Sequence, residues 1–148
     1  LVNVRTYIQS GNVFFESDEE ERAGLTGMIE RHLQEALGYA VPVCLRTVGE
    51  LERVVALDPF REKAVTPEMR LCVVFAAAPL AEGLALPLWS PRRDVEIVQA
   101  TRGEAFVVWY LNNGRPPAAD AFLASTLGSQ VTTRFYHTTA KLLAAAKG

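Results

Sequence analysis

An α+β fold built from a repeated hairpin–helix–strand–helix unit is what this sequence predicts, and three observations predict it. Stretches 4–57 and 94–146 place their turn residues, apolar periodicities and helix stops in the same order. The strand expected to close each stretch ends on an arginine, and Arg46 and Arg134 are 88 residues apart. A strongly apolar strand-like run at 70–77 and a helix-like run at 79–86 precede the second stretch. They complete β-α-β-β-α-β, the ferredoxin-like order.

Each element has a local reason. Segments 4–9 and 13–16 are rich in Tyr, Ile, Val and Phe and flank Ser10-Gly11-Asn12, where Gly and Asn tolerate the positive φ of a tight turn. A β-hairpin is expected there. Ser17 and Glu20 have capping-box spacing, and Asp18, Glu19 and Glu20 suit the positive end of a helix. Leu25, Met28, Ile29, Leu33, Ala36 and Leu37 then recur at helical spacing up to a stop at Gly38. A strand is expected at 41–46. Thr47 and Glu50 repeat the capping-box spacing and open a short helix to Leu57, closed by Asp58-Pro59. After an irregular loop at 88–93, segments 94–100 and 104–111 form a second hairpin around Thr101-Arg102-Gly103. Pro116-Pro117 opens a helix that Gly128 stops, 131–134 is a strand, and 138–146 is the final helix.

The expected organisation is two ferredoxin-like subdomains, 1–58 and 70–148, with antiparallel or mixed sheets, packed as one compact unit. The first would lack its N-terminal strand and helix. The native protein is therefore expected to extend N-terminally of Leu1 by about 30 residues, the size of a βαβ step. An intact mass of the natural gene product tests this.

Bulk properties narrow the function classes. The chain has 148 residues, 49% hydrophobic and 22% charged, which suits a globular core and excludes wholesale disorder. A net charge of -2 gives no whole-molecule attraction to nucleic acid or anionic membrane. Cys44 and Cys72 each sit alone in an apolar run and read as free thiols of a reducing compartment, with a disulfide between them as the alternative. No run approaches the ~18 apolar residues of a membrane span, and no signal peptide is visible. A cytoplasmic protein with no membrane partner is expected.

The run Val4-Arg5-Thr6-Tyr7-Ile8-Gln9-Ser10-Gly11-Asn12-Val13 resembles the signature of a bacterial family called domain of unknown function 1697. Thr132, Arg134, Thr138, Lys141 and Leu142 resemble a second motif of that family, Thr-x-Arg-Asn-Trp-Asn-Thr-x-x-Lys-Leu. Two departures stand out. Phe135-Tyr136-His137 replaces Asn-Trp-Asn, and Gly114-Arg115-Pro116-Pro117 stands where relatives carry Gly-Arg-Ser-Lys. The resemblance implies a two-subdomain, ferredoxin-like fold and no defined activity.

The polar turn Gln9-Ser10-Gly11-Asn12 beside Arg5 clusters amides and a hydroxyl that can orient a small polar ligand, or satisfy the turn's own backbone. Arg134 to Thr138 joins a strand end to a helix start, a place suited to anions. There Arg134 offers a bidentate contact, Lys141 a point charge and Tyr136 a stacking surface. The alternative is that Thr138 or His137 caps the helix and Phe135 or Tyr136 packs in the core. His137 has no partner in a nucleophile signature, so no catalytic residues are assigned and the sequence leans away from an enzyme. The acidic run 16–21 lacks a calcium-loop pattern, so neither metal nor cofactor is expected. Phe106, Trp109 and Tyr110 suggest base stacking on a sheet, but no matching RNA-binding signature accompanies them. The expectation is a module binding a small anionic or polar ligand, such as a phosphate-bearing metabolite or nucleotide, through Arg5, Gln9, Ser10, Asn12, Arg134, Tyr136 and Lys141. The alternatives are a protein-interaction domain acting through a sheet edge and a weak RNA binder.

Overall fold

A computed structural model describes residues 1–7, 11–18, 21–128 and 130–148. Among these residues the chain forms strands β1 (Val2–Tyr7), β2 (Asn12–Glu16), β3 (Met69–Ala76), β4 (Leu88–Trp89), β5 (Val95–Ala100), β6 (Glu104–Tyr110) and β7 (Val131–Phe135). Its helices are α1 (Arg22–Leu37), α2 (Val48–Ala56), α3 (Asp120–Leu127) and α4 (Tyr136–Lys147). The fold is mixed α+β with antiparallel sheets: β1 pairs with β2, and the larger sheet runs β4-β5-β6-β3-β7.

The larger sheet owes its position to the apolar run that forms β3. Strand side chains alternate between faces, so an unbroken apolar strand must be covered on both. Cys72, Val74 and Ala76 of β3 pack with Val95, Ile97 and Val107 against Leu123 of α3. Val73 and Phe75 pack with Phe106 and Val108 against Leu51 and Val54 of α2, with Phe60 and part of α4 completing that side. Burying a Val or Phe side chain contributes about 1.5–3 kcal/mol, so these two layers dominate the stability of the fold. The first hairpin is different. Leu1, Val2, Val4 and Val13 are each more than half exposed, and a two-stranded sheet is marginal alone.

Several sequence expectations hold in detail. Thr47 caps α2 by accepting from the Glu50 N–H at 3.1 Å, while the Glu50 carboxylate accepts from the Thr47 N–H at 2.8 Å. Gly38 ends α1 in the left-handed region at φ 81. Both cysteines are free thiols, Cys72 buried and Cys44 half-buried.

Other expectations are corrected. Segment 41–46 forms no strand: Pro42 has no N–H to give a ladder, and the segment lies beside β3 and β7 through side-chain contacts of Cys44 without pairing to either. Segment 79–86 forms turns instead of the helix that the ferredoxin-like order requires after β3. Gly83 sits near its middle at φ 80, outside the right-handed region that a helix requires. Leu80 is instead buried, its N–H donating to the Arg102 carbonyl at 2.7 Å. Helix α3 begins at Asp120, past Pro116-Pro117, and α4 begins at Tyr136, ahead of Thr138. Leu88 and Trp89 form a short edge strand where a loop was expected. Helix α1 begins at Arg22, and Glu20 of the expected Ser17–Glu20 box lies outside the described residues.

Candidate functional site

Arg134 lies on β7 opposite Val73 of β3, so its side chain leaves the face of the sheet that α2 covers. Strand β7 is an edge of that sheet, and the guanidinium reaches past it to the first hairpin. There Arg134 Nε donates to Asn12 Oδ1 at 3.0 Å, and Nη1 donates back to the Thr133 carbonyl at 2.9 Å. A Cβ added at Gly11 would stand 3.7 Å from Arg134 Nη2, and Gly11 holds φ 82. Glycine therefore suits both the backbone of this turn and the approach of the guanidinium. Burial depresses the Arg134 pKa, with a smaller opposing contribution from Cys44.

The hairpin places Arg5 opposite Phe14, with the Arg5 guanidinium 5.3 Å from the Phe14 ring centroid. Asn12 and Phe14 are two residues apart on β2, so Arg5, Phe14 and Asn12 share one face. The two polar segments marked in the sequence thus meet: Arg5 and Asn12 from one, Arg134 from the other. Gln9 and Ser10 lie outside the described residues. Tyr136 points elsewhere, its hydroxyl donating to the Val55 carbonyl at 3.3 Å and its ring packing edge-on against Phe60 at 5.3 Å. Burial, and then the nearby Asp58 carboxylate, push its phenol pKa up. Lys141 is exposed on α4, and no ion pair among the described residues includes it. His137 is exposed and stacks on Phe135.

Arg46 makes a contact of the same kind on the second hairpin. Its Nη1 donates to the Leu45 carbonyl at 2.7 Å, as Arg134 does to its own preceding residue. Its Nη2 donates to the carbonyls of Ala76 and Gly103 at 2.9 and 2.8 Å, and its Nε to Glu104 Oε2 at 2.7 Å. Thr101 secures the other Glu104 oxygen at 2.9 Å. Two residues before each arginine, Cys44 Sγ lies 3.6 Å from Thr132 Oγ1, another pair 88 residues apart.

One cluster was missed in the sequence. Glu96 is buried in β5 and accepts from Lys63 Nζ at 2.6 Å and from the Tyr110 hydroxyl at 2.8 Å. Trp89 stacks on Tyr110, and the Arg93 guanidinium lies 4.6 Å from the Trp89 ring centroid. The legible signal was a lone carboxylate between Val95 and Ile97, because a charge inside an apolar strand needs a partner. Among the described residues no group of three or more His, Cys, Asp or Glu side chains is arranged to hold a metal ion. No described helix is long and apolar enough to cross a membrane.

Comparison with curated proteins and with solved structures gives no match. The family model described as Protein of unknown function (DUF1697) matches residues 1–106, which include the first hairpin and Arg46, while Arg134 lies beyond the matched span. That match covers more than half of the 148 residues, and the chain belongs to the DUF1697 family.

Proposed function

We propose that the chain is a binding module for a small anionic or polar ligand, such as a phosphate-bearing metabolite or nucleotide, recognised where the first hairpin meets the β7–α4 junction. The observation that carries this reading is the bond from Arg134 Nε to Asn12 Oδ1. It joins the two polar segments at one place, with exposed Arg5 on the same hairpin face. Arg5 supplies a planar guanidinium for bidentate contact with phosphate or carboxylate. Arg134 fixes the position of Asn12, Lys141 adds a point charge, and Gln9 and Ser10 belong to the same proposed ligand set. Tyr136 acts indirectly, by holding the start of α4 against α2.

The reading extends to the architecture: the chain is an internal duplication of ferredoxin-like type, without the helix after β3 and without the strand at 41–46. The matching contacts of Arg46 and Arg134 support this.

The test is a thermal-shift series of the protein with inorganic phosphate, nucleotides and phosphosugars at two salt concentrations. A ligand that binds only the folded state raises the midpoint by linkage. Arg5→Ala should lose the shift while its ligand-free midpoint stays at the parent value. A panel with no shift, or a shift unchanged in Arg5→Ala, overturns the reading.

One observation favours a second reading. Val2, Val4 and Val13 are more than half exposed on a hairpin that pairs with no third strand among the described residues, which suits pairing with another chain. An apparent mass that rises with protein concentration would support it.

A further inference from the structure

Glu96 is 4% exposed and sits opposite Val108 on β6 and Trp89 on β4. A carboxylate withdrawn from water needs donors for both of its oxygens. Both donors to Glu96, Lys63 Nζ and the Tyr110 hydroxyl, converge on Oε1. Oε2 accepts from no described residue. Glu96 lines a cleft of about 340 Å³.

The cleft lies between the 58–63 loop and β5. Its charged lining comprises Asp58, Glu62 and Glu96 against Arg61 and Lys63, an excess of one negative charge, while Pro59, Pro87 and Val98 supply apolar walls. Lys63 spends its charge on Glu96 Oε1, which leaves Oε2 beside an acidic rim. The volume is at the lower end of small-molecule sites.

We propose that this cleft is a second binding site, separate from the Asn12–Arg134 junction, for a small aliphatic cation that carries N–H donors, an amine or a guanidine. The ammonium or guanidinium donates to Glu96 Oε2, the Asp58 and Glu62 carboxylates offset its charge, and its methylene chain lies along the two prolines and Val98. The site binds and does not catalyse. Burial is the largest influence on Lys63 and opposes its charge, but the bond and charge attraction of Glu96, with Tyr110, together outweigh it, and burial followed by the same carboxylate keeps Tyr110 protonated. Neither group is a base at neutral pH.

The test is calorimetric titration of the full chain with putrescine and agmatine, using 1,4-butanediol as the uncharged control. Saturable binding of the amines, competition between them and none by the diol are expected. Glu96→Gln should weaken binding about tenfold, the loss of one charge-assisted hydrogen bond. Asp58→Asn, on the exposed rim and outside the packed cluster, should weaken it several-fold and decides the matter if Glu96→Gln does not fold. Equal binding of the diol, or amine affinity unchanged by Asp58→Asn and by a folded Glu96→Gln, overturns the proposal. Arg5→Ala should leave amine binding intact, so failure here and failure of the phosphate reading are separable.

Discussion

Arg134 Nε stands 3.0 Å from Asn12 Oδ1 across 122 residues of sequence. It ties the edge strand of the larger sheet to a two-stranded hairpin that has little buried surface of its own. A hydrogen bond to a charged group is worth about 1.5–3 kcal/mol. Arg134→Ala is therefore expected to lower stability by about that amount. Asn12→Ala in the Arg134→Ala background should add little, giving a coupling of about 1.5–3 kcal/mol in a urea double-mutant cycle.

Arg46 binds Glu104, Ala76 and Gly103 at once and is mostly buried, as is Glu104. Removing one partner of a buried pair costs about 3–5 kcal/mol, and Arg46→Ala should fall in that range by urea denaturation. A Cβ at Gly103 would lie 3.2 Å from Arg46 Nη2. Gly103→Ala should therefore destabilise the parent protein by about 1 kcal/mol and have a smaller effect once Arg46 is alanine.

The cap of α2 has an acid limb. Burial would raise the Glu50 pKa, but the Arg22 hydrogen bond and the Thr47 N–H outweigh it and hold it below its ordinary value. A depressed carboxylate stabilises above its unfolded pKa, and that contribution is lost as pH falls through its folded one. Thr47→Ala should cost about 1 kcal/mol at neutral pH. Glu50→Gln keeps the capping box but should lose part of the acid sensitivity, read as unfolding midpoint against pH.

Lys63 and Tyr110 predict an alkaline limb of the opposite sign. Both are held above their ordinary values in the fold. Their contribution is complete below the unfolded values, about 10.4 for Lys and 10 for Tyr, and is lost as pH rises through the folded ones. Lys63→Met should remove the lysine part of this decline, measured by chemical denaturation above neutrality.

The thiols should differ in reactivity. Burial pushes Cys72 up to about 12, whereas Cys44 is only half-buried. A thiol reagent should modify one cysteine, Cys44, in the native protein and the second only on unfolding, as peptide mapping would show.

Residues with a local cause were the legible ones. The second hairpin, the central strand, the Thr47–Glu50 box and the Gly38 stop each follow from a few neighbouring side chains. Segment 41–46 misled because a strand is a relation between segments: its β-forming residues lie beside the sheet without a ladder. Segment 79–86 misled because its leucines serve the core as a loop around Gly83. For the candidate site, the residue types at Arg5, Asn12 and Arg134 were readable and their meeting was not. Lys63 and Glu96, 33 residues apart, were hidden for the same reason.

Each arginine of the matched pair is given by one half of the chain to the turn of the other half: Arg46 holds Gly103, and Arg134 holds the hairpin that contains Gly11 and Asn12. The halves are thus clasped by exchange, and neither can lose structure without loosening a turn in its neighbour. A cut between 58 and 69 yields two pieces each short of its own clasp. The clasp closes contacts across 57 and 122 residues, and such long-range contacts slow folding relative to local ones.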